Sequence, residues 1–317
     1  MIPWLLSALG LVILLLAGDS LVRGAVNLSL RLGVPALIVS LTIVAFGTSA
    51  PELLISISAV LDGAPGIALG NVVGSNTANI LMVLGIPALL APLHTSQCNT
   101  RKTYVFMIAA SVLFIALAFT GTFTMATGAI LLAALAFILF DAFRDARSHQ
   151  NAGETAGDEL DDLEGADPEM PGWRIALFLV LGLIGLPLGA DLLVVNATII
   201  AKTYGVSDTV IGLTLVAIGT SLPELATTVM AAIRKQADVA LGNVIGSNMF
   251  NLLAIIGLTT LIGPIPVDPA FLAFDLWVML AASLVLIPFV FMKMDITRGW
   301  GVALTAAYLV YLAVVLT

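Results

Sequence analysis

Gly47-Thr48-Ser49-Ala50-Pro51-Glu52 decides how this sequence is read, because Gly219-Thr220-Ser221-Leu222-Pro223-Glu224 answers it 172 residues later. Each copy sets a carboxylate beside a proline inside an apolar run long enough to cross a membrane. A charge at such a depth is costly and marks a functional site by default. Two of them in duplicated contexts point to one shared cation site.

The surrounding composition agrees. Of the 317 residues 60% are hydrophobic and 10% charged, with a mean hydropathy of +1.12. That is an all-α, polytopic membrane protein, whose apolar surface a bilayer solvates directly. The net charge of -8 is local, since 10 of the 20 acidic residues fall between Asp141 and Glu169. Nothing basic and clustered suggests a nucleic-acid partner. The single Cys98 cannot form an internal disulfide, and His94 and His149 lie outside the apolar segments, which counts against a metallohydrolase or a histidine relay. The opening segment from Ile2 to Val22 lacks a basic leader and is expected to be a retained helix.

Apolar runs predict ten helices, at about 2–24, 35–61, 67–92, 103–119, 123–143, 173–201, 208–233, 238–263, 270–292 and 298–316. With that count 11 of the 12 basic residues fall on one face, which the positive-inside rule makes cytoplasmic, leaving both termini outside. Shifting the chain by 172 residues lays Leu41–Gly85 over Leu213–Gly257 with 22 identities in 45 positions, and aligns Asp19 with Asp191 and Gly33 with Gly205. Five spans per half is an odd number, so the second copy enters the membrane upside down. The expected plan is therefore two inverted five-helix repeats, residues 1–143 and 173–317, joined by an acidic cytoplasmic linker at 144–172. The linker reads as a solvated segment, and it lacks the spacing of a calcium-binding helix–loop–helix.

Chemistry follows from the breaks. Pro51 and Pro223 carry no N–H, so the carbonyls of Gly47 and Gly219 lose their helical partners, and a bound cation can replace them. The hydroxyls of Thr48, Ser49, Thr220 and Ser221 lie at the same depth. These hydroxyls can also serve merely to satisfy the broken backbone. Glu52 and Glu224 have no basic partner in their spans, so each must be protonated or matched by a bound cation. The next helix of each half carries Gly70-Asn71-Val72-Val73-Gly74-Ser75-Asn76-Thr77-Ala78-Asn79 and Gly242-Asn243-Val244-Ile245-Gly246-Ser247-Asn248-Met249-Phe250-Asn251. Its glycines have the spacing of close helix packing. Asn79 and Asn251 read as ligands or as groups that orient the carboxylates. Such hard oxygen donors suit Ca²⁺, Na⁺, Mg²⁺ or Mn²⁺, with Ca²⁺ fitting an all-protein cage better than Mg²⁺.

At these residues the chain resembles the prokaryotic members of the sodium/calcium exchanger family, a branch of the cation/calcium exchanger superfamily, whose paired motifs read G-T-S-x-P-E and G-N-x-x-G-S-N. The resemblance implies Glu52 and Glu224 as central ligands. It also implies the hydroxyls of Thr48, Ser49, Thr220, Ser221, Ser75 and Ser247, the carbonyls of Ala45 and Ala217 and the amide of Asn79 around them. Sliding of the first and sixth helices, around Asp19 and Asp191, would give alternating access. Asn251, where some members have Asp, speaks against potassium co-transport. The expectation is thus a Na⁺/Ca²⁺ antiporter of a prokaryotic inner membrane, not an enzyme and without a cofactor. A proton-coupled cation antiporter is the alternative, and the oligomeric state is open.

Overall fold

The computed structural model describes residues 2–152, 166–205 and 217–316. Its helices are α1 (Ile2–Leu32), α2 (Ala36–Thr48), α3 (Ala50–Leu61), α4 (Pro65–Leu90), α5 (Arg101–Ala118), α6 (Met125–Ala152), α7 (Gly172–Thr203), α8 (Ala217–Thr220), α9 (Leu222–Ile233), α10 (Ala237–Thr259), α11 (Pro269–Phe291) and α12 (Arg298–Leu316). Eight of these helices are long and apolar enough to cross a membrane, and a ninth span is the pair α2 and α3, bent by 41°. The span expected at 208–233 falls partly outside the described residues; its visible part is α8 and the short apolar α9.

Two expected boundaries move. The first helix runs past residue 24 to Leu32, where Gly33 takes a φ of +63°, and α7 ends the same way at Gly205 with a φ of +79°. Left-handed backbone at that position is a glycine's role in ending a helix. The polar break expected from residue 144 begins later, because α6 continues to Ala152. Helix needs no apolarity once it leaves the bilayer, and Lys102 pairs with Asp141 at 2.6 Å and Asp145 at 2.7 Å along the turns concerned.

α1 and α7 lie antiparallel in close contact. Going up α1, Gly10 abuts Gly189 and Leu193, Ala17 abuts Gly185, Leu21 abuts Gly182 and Gly24 abuts Leu179. Glycine at these crossings lets the two backbones approach. α10 is wholly buried at the centre with α4 beside it, while the outer helices turn Leu, Val and Phe outward. α10 presses its glycines on α2: a Cβ at Gly246 would sit 2.5 Å from the Leu41 carbonyl oxygen, and one at Gly242 2.9 Å from that of Leu37. The expectation of small residues for tight packing is met there; at Gly70 and Gly74 an added Cβ would meet nothing within 4 Å among the described residues. Short pairings tie the loops of the two halves, Thr122–Phe123 with Ile265–Pro266 and Leu93 with Ile296.

Asp19 forms an ion pair with Arg23 at 3.0 Å, as its spacing suggests. It also pairs with Arg234, the residue that caps the far end of α9. Asp191 is exposed. Asp268 caps α11, accepting from the Ala270 N–H at 2.8 Å, as expected.

Candidate functional site

Both carboxylate helices break at the serine before the proline. Ser49 has φ −83° and ψ 3°, and Ser221 has φ −86° and ψ 6°, outside the helical basin in the same way. Pro51 and Pro223 then stand in the first turn of a new helix, where a missing N–H costs nothing and a fixed φ helps. The single span expected at 35–61 is therefore two helices, bent by 41° at Ser49. The break changes the electrostatics, because Glu52 and Glu224 now lie in the first turn of α3 and α9, where free N–H groups and the helix dipole favour negative charge.

Glu52 and Glu224 are both 0% exposed. Among the described residues no Lys, Arg or His forms an ion pair with either. The halves nevertheless meet, since the Ser49 hydroxyl donates to Glu224 Oε1 at 3.3 Å. Each glutamate's main-chain carbonyl is held by the next helix of its own half. Asn71 donates to the Glu52 carbonyl at 3.0 Å and to Ser56 at 3.1 Å, and Asn243 donates to the Glu224 carbonyl at 3.4 Å and to Thr228 at 3.3 Å. The Thr48 hydroxyl bridges the halves, lying 3.2 Å from Asn243 Oδ1, 3.3 Å from Ser247 Oγ and 3.3 Å from the Ala45 carbonyl.

The remaining expected residues divide. Ser75, Asn79, Thr220, Ser221 and Asn251 are all buried, and Asn251 stands in the π-helical turn Phe250–Ile255 of α10, a distortion common at functional sites. The Ala45 carbonyl already accepts the Ser49 N–H at 3.1 Å. In the second half the Ser221 N–H turns to Ile218 at 3.1 Å, so the breaks differ in which carbonyl they engage, and Ala217 begins the described part of that segment. Asn76 and Asn248 were not among the expected site residues. Their side chains reach across the crossing of α4 and α10 to each other's carbonyls at 3.1 and 3.3 Å. Their identity in both copies of the repeat was the signal that could have found them.

What is left over defines the chemistry. Among the described residues, both carboxylate oxygens of Glu52, Glu224 Oε2, Ser221 Oγ and the amide oxygens of Asn79 and Asn251 are buried without a hydrogen-bond partner. Buried acceptors normally find donors, so a set of lone acceptors around two anions calls for a cation. Two carboxylates with neutral oxygens suit a hard, oxygen-seeking ion. The described residues hold no cluster of three or more His, Cys, Asp or Glu of the kind that keeps a transition metal.

The sequence profile of the sodium/calcium exchanger proteins matches residues 2–143 and 174–317. The chain belongs to the sodium/calcium exchanger family. The exchanger is 35% identical over 343 residues to the sodium/calcium exchanger MaX1 of Methanosarcina acetivorans, covering 99% of this chain and 98% of that one. It is 35% identical over 307 residues to the inner membrane protein YrbG of Escherichia coli, covering 96% and 94%. Among solved structures it superposes on the sodium-calcium exchanger NCX_Mj with a TM-score of 0.83 and 30% identity, over 99% and 98% of the chains. As an exchanger, the chain is a transmembrane ion transporter and not an enzyme, and the ions are its substrates, not cofactors.

Proposed function

We propose that this exchanger is a secondary antiporter that moves Ca²⁺ in one direction against Na⁺ in the other, through a single site around Glu52 and Glu224. The observation that carries the reading is the set of buried oxygens left without hydrogen-bond partners among the described residues, on and around two carboxylates with which no described Lys, Arg or His pairs. One Ca²⁺ balances two carboxylates, and Na⁺ ions can take the same oxygens in its place, so occupancy by one excludes the other. That exclusion is what exchange requires. The ligand set is Glu52, Glu224, Thr48, Thr220, Ser49, Ser221, Asn79, Asn251, Ser75 and Ser247, with the carbonyls of Ala45 and Ala217.

The architecture that goes with it is ten spans in two inverted halves, 1–143 and 173–317, joined by the acidic segment 144–172, with both termini outside a prokaryotic inner membrane. The antiparallel contact of α1 with α7, the matching left-handed glycines Gly33 and Gly205 and the like breaks at Ser49 and Ser221 support this plan. Alternating access follows if α1 and α7 slide as a pair over the site. If more than two Na⁺ exchange for one Ca²⁺, each cycle moves net charge and answers to voltage, by about 2.3 kcal/mol per charge per 100 mV.

The test is uptake of ⁴⁵Ca into liposomes that hold the purified protein. An outward Na⁺ gradient is expected to drive uptake, and Glu52→Gln or Glu224→Gln to abolish it. Uptake driven by a pH gradient without Na⁺ would replace Na⁺ coupling by proton coupling at the same carboxylates.

A further inference from the structure

Four amides form a chain whose direction the main chain dictates. Asn76 Nδ2 meets the carbonyl of Asn248 at 3.1 Å, and Asn248 Nδ2 meets the carbonyl of Asn76 at 3.3 Å. A carbonyl oxygen only accepts, so each of these side chains must present its NH₂ there and keep its Oδ1 as an acceptor. Those acceptors are used. Asn251 Nδ2 donates to Asn76 Oδ1 at 3.0 Å, and Asn79 Nδ2 donates to Asn248 Oδ1 at 3.0 Å. Asn79 and Asn251 are thereby fixed in turn, with their own Oδ1 atoms buried and unpartnered among the described residues. None of the four side chains has room to negotiate with water, since Asn76, Asn79 and Asn248 are 1% exposed and Asn251 0%.

We infer that Asn76 and Asn248 are positioning residues that pass the polarity of the backbone to the two amide ligands of the proposed site. The inference rests on the reading of that site given above. Without the relay, either terminal amide could turn over and aim its NH₂ at a cation, converting an attraction into a repulsion. The relay also crosses between halves: Asn76 of the first orients Asn251 of the second, and Asn248 orients Asn79. The amide ligands are therefore set correctly only when α4 and α10 are docked.

Pairing Asn76→Ala with a change at its client Asn251, and separately at Asn79, which Asn248 holds, separates this role from simple packing. Asn76→Ala leaves the Asn76 carbonyl in place for Asn248, so the orientation of Asn79 survives and only Asn251 is released. We expect the half-saturating Ca²⁺ concentration for exchange to rise about tenfold, as for other residues that orient a metal ligand, with the maximal rate within about twofold. In an Asn251→Asp background the added cost of Asn76→Ala should fall below about threefold, because a carboxylate offers an oxygen in either orientation; in an Asn79→Asp background it should stay near tenfold. The same cost in both backgrounds, or no cost in the parent protein, overturns the inference. Asn76→Ser, and Asn248→Ala with the backgrounds exchanged, give the same comparison should Asn76→Ala fail to fold. Retained Ca²⁺ uptake in Glu52→Gln would instead remove the site itself, whatever Asn76 does.

Discussion

The hydroxyl of Ser49 donates to Oε1 of Glu224 at 3.3 Å, joining the broken helix of one half to the buried carboxylate of the other. It is a direct side-chain link from one G-T-S-x-P-E motif to the opposite glutamate. Ser49→Ala should therefore weaken Ca²⁺ binding without unfolding the protein. A hydrogen bond of this length to a carboxylate is worth about 1 kcal/mol, or about fivefold in affinity. Ser49→Thr keeps the hydroxyl and should lose less. Half-saturating Ca²⁺ for exchange, measured for the three proteins side by side, checks the order.

Gly246 tests the contact that seats α10 on α2. An added Cβ would stand 2.5 Å from both the Leu41 carbonyl oxygen and the Ala45 Cβ, and a backbone oxygen cannot swing aside. Gly246→Ala is expected to cost about 1–3 kcal/mol by overpacking. At Gly219 the nearest obstacle among the described residues is the Val194 side chain, at 2.6 Å, and a side chain yields more easily than a backbone oxygen, so Gly219→Ala should be milder. Thermal unfolding in detergent, followed by loss of monodisperse protein, ranks the two.

The Asp19 carboxylate is shared between Arg23 on its own helix and Arg234 at the end of α9. Arg234→Gln should loosen α1 from α9 and lower stability by about 1–3 kcal/mol, since both side chains of the pair are mostly buried, at 13% and 18% exposure. Asp19→Asn should cost a similar amount, and the double variant less than the sum. A strictly additive double variant would show that the two residues do not act on each other.

The sequence carried the site's ends better than its middle. Glu52 and Glu224 were legible because a charge in an apolar span is rare and a duplicated one rarer, and that logic needs no coordinates. The helix break at Ser49 was not, because proline at the first turn of a new helix and proline inside an old one read alike in a string of letters. Asn71, Ser75 and Asn79 share one face by periodicity, yet the partner that orients Asn79 is Asn248, 169 residues away. Asp19 and Arg234, 215 residues apart, were hidden for the same reason: local spacing offered Arg23 and gave no hint of the second arginine. The extra turns of α6 lay beyond a hydropathy reading, which registers where the bilayer ends and not where the helix does.

Outside the spans, Asp295 accepts from the Ser96 N–H at 3.0 Å and faces His94 Nδ1 at 3.1 Å, across the strand-like pairing of Leu93 with Ile296. Partial burial pushes its carboxyl upward, but the hydrogen bonds from Ser96 and the contact with His94 outweigh that and hold it below the ordinary carboxylate range. A carboxyl depressed in the folded state stabilises fully above its unfolded pKa, and the contribution is lost as pH falls through the folded one. The stability gap between the parent protein and Asp295→Asn should accordingly be present at pH 7 and close on acidification below the ordinary carboxylate range. A gap that is unchanged down to strongly acidic pH would contradict the assignment.

Equilibrium binding of ⁴⁵Ca to the purified protein tests the central claim most directly, because it asks about the site without the transport cycle. The account predicts one saturable Ca²⁺ per chain, displaced by Na⁺ and not by K⁺, and lost in both Glu52→Gln and Glu224→Gln. Undiminished binding in either variant, or binding that Na⁺ leaves untouched, would contradict a single site shared by the two carboxylates.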